Sequence, residues 1–289
     1  MLPCCGLWVA RIKNGAVTDS VSLSDLGIRS SDGQNRASDP EVMEDVIHYA
    51  FSHYPATCGN YGLVIEGHGS GWLMKPEVER SRSRAAGVDF GNDSYSGDGR
   101  WINVPTMASI LKRMPHLKFI MTDCCNMMCL ENLYELRSVC DYMIGSPAEI
   151  PDQGAPYDQI VTDMFAEGKF YSNIITKYYN ATRGYLPLTA VKTSEMDNVA
   201  RATRTALRTF APADVYQQWN QVLNRAVVDL RESAKWATDK PWSMKYADFS
   251  ASEEKMHGVS MFVPQDPSRG NYARFNEDIK KMEWYAATN

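Results

Sequence analysis

One histidine and one cysteine stand where two predicted strands end, and both side chains can take part in nucleophilic catalysis. His68 follows the apolar run Tyr61 to Glu66 and lies within Gly67-His68-Gly69-Ser70-Gly71-Trp72. Cys125 follows the apolar run Leu117 to Thr122. In an open α/β sheet, functional groups gather at the carboxyl ends of the strands. If the two strands are neighbours, we expect His68 and Cys125 to meet at one edge of the sheet.

The chemistry that suits this pair is attack by a thiolate on a carbonyl carbon. A thiol needs a nearby base to ionise at neutral pH, and His68 can accept its proton and later protonate a leaving amine. The apolar pattern after Cys125 predicts a helix that begins there, and the positive end of its dipole would further favour the thiolate. We also predict an oxyanion hole formed by the N–H groups of Gly69 and Cys125.

A structural role for both residues is the alternative. A histidine after a strand is commonly a turn residue, and a buried cysteine is commonly an inert apolar side chain. The glycines around His68 and the expected helix after Cys125 favour catalysis. On the residues alone, both interpretations stay open.

Composition excludes several classes of protein and cofactor. The formal net charge of −5 provides no basic surface, so we expect no nucleic acid partner. The seven cysteines are an odd number without paired CxxC motifs, which argues against a zinc site or a disulfide framework. No run has the ligand spacing of an EF-hand, and we expect neither a metal nor a cofactor. No apolar run reaches the roughly 18 residues of a membrane span, so we expect no transmembrane segment.

Short apolar runs alternate with segments of helical period, which favours an α/β fold with a mainly parallel sheet sandwiched by helices. Asp39-Pro40-Glu41 has the pattern of a helix start, and another helix is predicted over Met127 to Cys140. The predicted buried parallel strands are Gly6 to Ile12, Tyr61 to Glu66, Leu117 to Thr122, Asp141 to Gly145 and Leu188 to Thr193.

Two units are predicted along the chain. Residues 1–195 form an α/β core, and residues 196–289 form a mostly helical C-terminal subdomain with helical patterns over Val199 to Phe210 and Val215 to Ala234. Within the core, residues 75–100 contain Arg80, Arg82 and Arg84, followed by a stretch rich in Gly, Asp, Ser and Asn. This composition is typical of an exposed loop.

The two strand-end motifs resemble those of the clostripain family of bacterial cysteine peptidases, which have His-Gly-Ser-Gly-Trp after one strand and Asp-Ala-Cys-Leu-Met after the next. The first motif is intact here as His68 to Trp72. The second is Asp123-Cys124-Cys125-Asn126-Met127, so the nucleophile of the family falls on Cys125. Cys124 and Asn126 depart from the family pattern and alter the packing beside the nucleophile. Further similarity lies in Glu131 to Leu136, Asp141 to Ser146 and Glu149 to Tyr157.

The resemblance implies a caspase-like fold and cleavage of proteins or peptides after Arg or Lys. An acidic S1 pocket would explain this preference, because a carboxylate pairs with a guanidinium. Asp123 is our first candidate for the pocket floor, and Asp152 and Glu149 are the second candidates. Members of the family cut themselves between the two motifs, and we expect this cleavage after Arg84, before Ala85.

The resemblance also carries expectations about the whole protein. The family opens with an additional strand and helix, so we expect residues 1–195 to be an N-terminally incomplete core. We expect a secreted or bacterial cell-envelope protein, although no signal peptide is visible, and a monomer. Two alternatives remain: a catalytically silent caspase-like module that binds peptides or partners, and a cysteine amidase with a different pocket.

Overall fold

Eight strands and eight α-helices make up the part of the chain that the computed structural model describes. This part comprises residues 7–30, 33, 36–56, 60–74, 86–89, 100–147, 150, 153–182, 188–209, 258–262, 267–268 and 272–289. In chain order the strands are β1 (Trp8–Lys13), β2 (Ala16–Ser22), β3 (Tyr61–Glu66), β4 (Ala86–Asp89), β5 (Arg100–Ile102), β6 (Leu117–Asp123), β7 (Cys140–Gly145) and β8 (Thr189–Lys192). The helices are α1 (Pro40–His53), α2 (Val104–Leu111), α3 (Leu130–Glu135), α4 (Tyr157–Met164), α5 (Phe170–Ala181), α6 (Met196–Thr209), α7 (Tyr272–Asp278) and α8 (Glu283–Thr288), with 3₁₀ turns at Thr193–Glu195 and Ile279–Lys281.

The central sheet has the strand order β3-β6-β7-β8. β6 pairs in parallel with β3 on one side and with β7 on the other, whereas β8 pairs antiparallel to β7. Ile120 and Met121 are fully buried on opposite faces of β6, in two separate apolar clusters. Side chains of α2, α3, α6 and α8 fill one cluster, and those of α4 and α5 fill the other. The predicted α/β architecture, a mainly parallel sheet sandwiched by helices, is confirmed.

The first predicted strand has a different partner and environment. We expected Gly6 to Ile12 to be a buried parallel strand, and this is wrong for the described residues. Instead, β1 forms an antiparallel hairpin with β2. Asn14 and Gly15 both have positive φ angles, 52° and 75°, which is the conformation that a tight hairpin turn requires. Ile12 is 70% exposed, so the apolar run does not mark a buried strand.

Two other predictions fail in detail. Leu188 to Thr193 was expected to be parallel, but β8 runs antiparallel to its neighbour. The helix predicted over Met127 to Cys140 is reduced to α3, which begins at Leu130. Cys129 is extended and forms an isolated bridge with Ser260, so the chain after Cys125 is held by strand-like contacts with a distant segment. No helix begins directly after Cys125.

The start of α1 follows the prediction from Asp39-Pro40. Pro40 occupies the first turn, where its missing N–H carries no cost. The Asp39 side chain makes no capping bond and instead accepts a 2.6 Å hydrogen bond from Arg100, at the start of β5. The acidic residue therefore ties the helix start to a later strand.

The described C-terminal elements pack on the same core as the sheet. Val199 of α6 and Trp284 of α8 belong to the apolar cluster that contains Ile120. The helix predicted over Val199 to Phe210 corresponds to α6, and the one over Val215 to Ala234 lies outside the described residues. The division into units at residue 195 stays a prediction.

A buried glutamate fastens the segment 258–262 to the chain after Cys125. Leu130 donates its N–H to Ser260 O at 2.9 Å, and Ser260 donates its N–H to Met128 O at 3.0 Å. Glu131 Oε1 accepts the N–H of Phe262 at 2.7 Å. Burial, the largest influence, raises the pKa of Glu131 to about 7. The N–H of Phe262 favours the carboxylate, but burial outweighs it, so the fold loses stability when Glu131 ionises in its apolar site.

We expect Glu131→Gln to change how stability depends on pH. Because the folded pKa lies above the usual 4.5, the contribution of Glu131 is fully present below that value and is lost as the pH rises through about 7. Between about pH 5 and 8, the free energy of unfolding of the wild type should fall by on the order of 3 kcal/mol relative to Glu131→Gln. Urea unfolding at several pH values measures this difference.

Glu44→Gln is the matched control. The hydrogen bond from Arg113 lowers the pKa of Glu44, so its contribution is constant over the same pH range. Parallel stability profiles for wild type and Glu131→Gln would contradict the assignment.

Candidate active site

The register between β3 and β6 sets the position of the histidine motif. Partners from Gly62–Phe119 to Glu66–Asp123 keep a constant offset of 57 residues, the same offset that separates His68 from Cys125. The pairing extends one step further, since Gly67 donates its N–H to Asp123 O at 3.3 Å. The expectation that the two strands are neighbours is confirmed. The chain therefore brings His68 and Cys125 to the same edge of the sheet.

Two glycines allow the histidine loop to lie directly on the cysteine loop. A Cβ at Gly69 would lie 2.4 Å from Cys125 O and 2.9 Å from Cys124 Cβ. A Cβ at Gly71 would lie 2.9 Å from Asn126 O, and Gly71 also has a positive φ of 69°. Real Cβ atoms do not approach a backbone oxygen this closely. The two loops are therefore in backbone contact, and a side chain at either glycine would force them apart.

Cys125 is half-buried, and its thiol contacts the backbone of Ile150. Ile150 donates its N–H to Sγ at 3.3 Å, and Sγ lies 3.8 Å from Ile150 O in a donor arrangement. His68 is exposed on the other strand end. The N–H of Ile150, in the loop after β7, thus points at the sulfur of Cys125, whereas the helix that we expected directly after Cys125 is absent from the described residues.

Cys124, the neighbouring thiol, faces the interior. It is buried, and its Sγ donates to Ile65 O at 3.5 Å. Burial first, and then the charge of Asp123, raises the pKa of the Cys124 thiol to about 12. A thiol with this pKa is almost wholly protonated at neutral pH and is a poor nucleophile. Of the two adjacent thiols, only that of Cys125 is placed to react.

Asp123 is only 4% exposed. Its Oδ2 accepts the N–H of Ala155 at 2.7 Å and the hydroxyl of Tyr157 at 2.9 Å. Its Oδ1 is buried and makes no hydrogen bond of normal geometry with the described residues, and the buried hydroxyl of Tyr178, which also lacks such a bond, interacts with the same carboxylate. Burial first, and then this carboxylate, raises the pKa values of Tyr157 and Tyr178. The Oδ1 acceptor lies two residues before Cys125 and is costly to leave unpaired.

Asn126, a departure from the family motif, adopts a left-handed conformation with a φ of 61°. Asparagine tolerates this region better than a branched or bulky residue. The turn directs the chain from Cys125 into the extended segment before α3. The change from leucine therefore matches the backbone that the structure has here.

The remaining candidates from the sequence lie outside the described residues. These are Glu149 and Asp152 of the second S1 assignment, and Arg84 and Ala85 of the cleavage site. Sequence reasoning missed the contact of Ile150 with the sulfur of Cys125, and it used Tyr157 only as part of a matching stretch. The contact of Ile150 depends on loop conformation and leaves no signal in the sequence. Among the described residues, no group of three or more His, Cys, Asp or Glu side chains is arranged to hold a metal ion.

Comparison with known proteins adds a direct test of relationship. The profile of the clostripain family matches residues 19–275, most of the chain. The chain belongs to the clostripain family. It is accordingly a cysteine peptidase, and its substrates are peptides or proteins. No curated protein sequence matches it significantly.

Three solved structures of similar proteins share the fold of this clostripain-family chain. A secreted C11 cysteine protease from Bacteroides thetaiotaomicron, in complex with an irreversible peptide inhibitor, is 25% identical with a TM-score of 0.66, and the match covers 97% of this chain and 84% of that protein. An inactive zymogen C11 protease from Parabacteroides distasonis is 24% identical with a TM-score of 0.66, over 97% and 83% of the two chains. A secreted C11 cysteine protease from Bacteroides thetaiotaomicron called iotapain is 18% identical with a TM-score of 0.61, over 98% and 84%. Within the described residues, no helix has the length and apolar character needed to cross a membrane.

We expect Gly69→Ala to remove most of the peptidase activity. The added Cβ would collide with Cys125 O and displace the histidine loop. A displacement of about 1 Å at a catalytic site costs on the order of 10²-fold in rate. The measurement is kcat/KM on a peptide substrate, together with the melting temperature.

Gly168→Ala is the control for this substitution. Gly168 also has a positive φ, 66°, but nothing lies within 4 Å of its missing Cβ. We expect it to lower the melting temperature without changing kcat/KM. Full activity of Gly69→Ala would show that the two loops need not touch.

Proposed function

We propose that this clostripain-family chain is an endopeptidase that cleaves after Arg or Lys through a dyad of His68 and Cys125. The observation that carries the proposal is the β3–β6 register, which brings the two residues to one edge of the sheet. The unpartnered oxygen of Asp123 beside this edge supports the basic preference. The histidine and cysteine motifs then form one site with a nucleophile, a base and a binding group.

In the proposed reaction His68 accepts the proton of Cys125 Sγ, and the thiolate attacks the carbonyl carbon of the scissile bond. The N–H donated by Ile150 stabilises the negative sulfur. The oxyanion that forms accepts hydrogen bonds from the N–H groups of Gly69 and Cys125. The tetrahedral intermediate then collapses, His68 protonates the leaving amine, and a thioester on Cys125 remains.

The second half of the reaction releases the acyl group. His68, now neutral, removes a proton from water, and the resulting hydroxide attacks the thioester carbon. The carbon–sulfur bond breaks, the new carboxylic acid leaves, and Cys125 recovers its thiol with the proton that His68 returns. The overall reaction consumes one water.

Asp123 accounts for the proposed preference at P1. A buried carboxylate oxygen without a donor is destabilising, and a guanidinium or ammonium group supplies both the missing hydrogen bond and a compensating charge. Asp152 and Glu149 remain second candidates for the same pocket. We also propose that the protein is secreted or belongs to the bacterial cell envelope, since two similar proteins are described as secreted. We further propose that it acts as a monomer.

A panel of fluorogenic peptides with Arg, Lys, Asp or Ala at P1 tests this function. We expect turnover after Arg and Lys only. Cys125→Ala should abolish it, and His68→Ala should lower kcat by about 10²–10⁴-fold, the usual effect of losing a positioned acid–base group. Asp123→Asn keeps one oxygen that can accept from both Ala155 and Tyr157, and it should lower kcat/KM for basic substrates by about 10²-fold or more.

Cys124→Ala is the matched control, because it removes the inert thiol and keeps the Cβ that packs on Gly69. It should retain activity within a few-fold. No turnover and no labelling of Cys125 by an electrophilic arginyl peptide would favour the silent binding module. Turnover confined to non-basic peptides would favour the amidase and refute the role of Asp123.

We also propose that the enzyme cuts itself after Arg84, before Ala85. The three arginines Arg80, Arg82 and Arg84 provide basic P1 residues between the two catalytic motifs. Intact mass spectrometry should find two fragments in the wild type and one full-length chain in Cys125→Ala. Arg84→Gln, with Arg82→Gln as its control, should move or abolish the cut. Identical unclipped masses of wild type and Cys125→Ala would exclude self-processing.

A further inference from the structure

A second carboxylate shares the space beside Asp123. Glu66 ends β3 directly opposite Asp123, which ends β6, so both residues occupy equivalent positions in the register. Side chains alternate between the faces of a strand. Val64 and Met121, each two residues earlier, pack in the same apolar cluster under α4 and α5. Glu66 and Asp123 therefore project toward the same face of the sheet.

Gly154 marks the space that the two carboxylates share. The three heavy atoms nearest to its missing Cβ are Asp123 Oδ2 at 3.0 Å, Glu66 Oε1 at 3.7 Å and Asp123 Cγ at 3.9 Å. All three belong to carboxylates. Gly154 also has a positive φ of 63°, which favours glycine, so no side chain fills this space. One point is thus approached by two acidic groups within 4 Å.

The two carboxylates differ in their surroundings. Asp123 is buried with one unpartnered oxygen, whereas Glu66 is exposed at the end of its strand. Both charges act on the same neighbours, since each contributes to the raised pKa values of Cys124 and Tyr157. Two negative groups this close repel each other, and a cation between them would relieve that repulsion. Buried Asp123 lies at the bottom of the space beside Gly154 and can be called its floor. Exposed Glu66 lies at its solvent side and can be called its rim.

We propose that Glu66 is a specificity residue of the S1 pocket and that, together with Asp123, it selects Arg over Lys at P1. A guanidinium has five N–H donors in a planar fork, so it can bond to the floor and to the rim at once. An ammonium is a compact point charge on a flexible stem, and it satisfies the buried floor without needing the rim. This inference rests on the proposed cleavage after basic residues and adds the group that discriminates between them.

The test compares matched peptidyl-Arg and peptidyl-Lys fluorogenic substrates on wild type and Glu66→Gln. We expect kcat/KM for the Arg substrate to fall by about threefold to fivefold, the upper part of the range for a partly exposed ion pair, mainly through KM. The kcat/KM for the Lys substrate should change by less than about twofold, so the ratio of the two kcat/KM values, Arg over Lys, falls. The loss for Arg should shrink at high salt, because an exposed charge is screened.

Charge reversal and a distant charge change serve as further variants. Glu66→Lys should lower the Arg/Lys ratio further than Glu66→Gln, and Glu66→Asp should retain part of the preference. Glu44→Gln removes an exposed negative charge that pairs with Arg113, before the amino end of β6, and should leave the ratio unchanged. Asp123→Asn should lower kcat/KM for the Arg and Lys substrates by similar factors.

The outcomes separate this inference from the proposed function. Wild-type enzyme that cleaves neither Arg nor Lys substrates would refute the proposed function itself. Wild-type enzyme that cleaves both, with the same Arg/Lys ratio in Glu66→Gln and Glu66→Lys, would overturn the role of Glu66 alone. An equal loss for Arg and Lys in Glu66→Gln would also overturn it, because a merely structural residue would produce that result.

Discussion

Five consecutive pairs, from Gly62–Phe119 to Glu66–Asp123, hold β3 and β6 together in parallel. A slip of one residue would turn every side chain of β3 to the other face and move the histidine motif along the sheet edge. The buried residues of β6 resist such a slip, because they belong to two different apolar clusters. The packing of the whole core thereby sets the distance between two loops that come from separate parts of the chain. The two loops can come into backbone contact because Gly69 and Gly71 have no side chains.

The elements around this pairing were readable from sequence because they are local and strongly patterned. The run at Tyr61–Glu66 matches its strand at both ends, and Asp39-Pro40 marks the start of α1. Continuous apolar runs bounded by polar residues are typical of buried parallel strands. The sequence alone therefore predicts that the motif residues at both strand ends lie on one edge of the sheet.

The features that sequence reasoning missed depend on partners far along the chain. The helix expected after Cys125 is replaced by extended residues, because Ser260 pairs with the segment around Cys129 and Leu130. The direction of β8 is likewise decided by its pairing and not by its own composition. The hairpin of β1 and β2 is different, since Asn14-Gly15 was a local signal of a tight turn. Contacts such as that of Ile150 with sulfur carry no sequence pattern.

The bond between Glu131 and Phe262 joins residues separated by 131 positions. During synthesis from the amino terminus, the strand that precedes the cysteine leaves the ribosome long before the residues that support the turn after it. Such distant contacts form late, because closing a long loop costs entropy before the contact gives any stability. The nascent chain can therefore hold its sheet while the cysteine turn lacks its support. Assembly order thus delays the working geometry of the protease until residues 258–262 have been made.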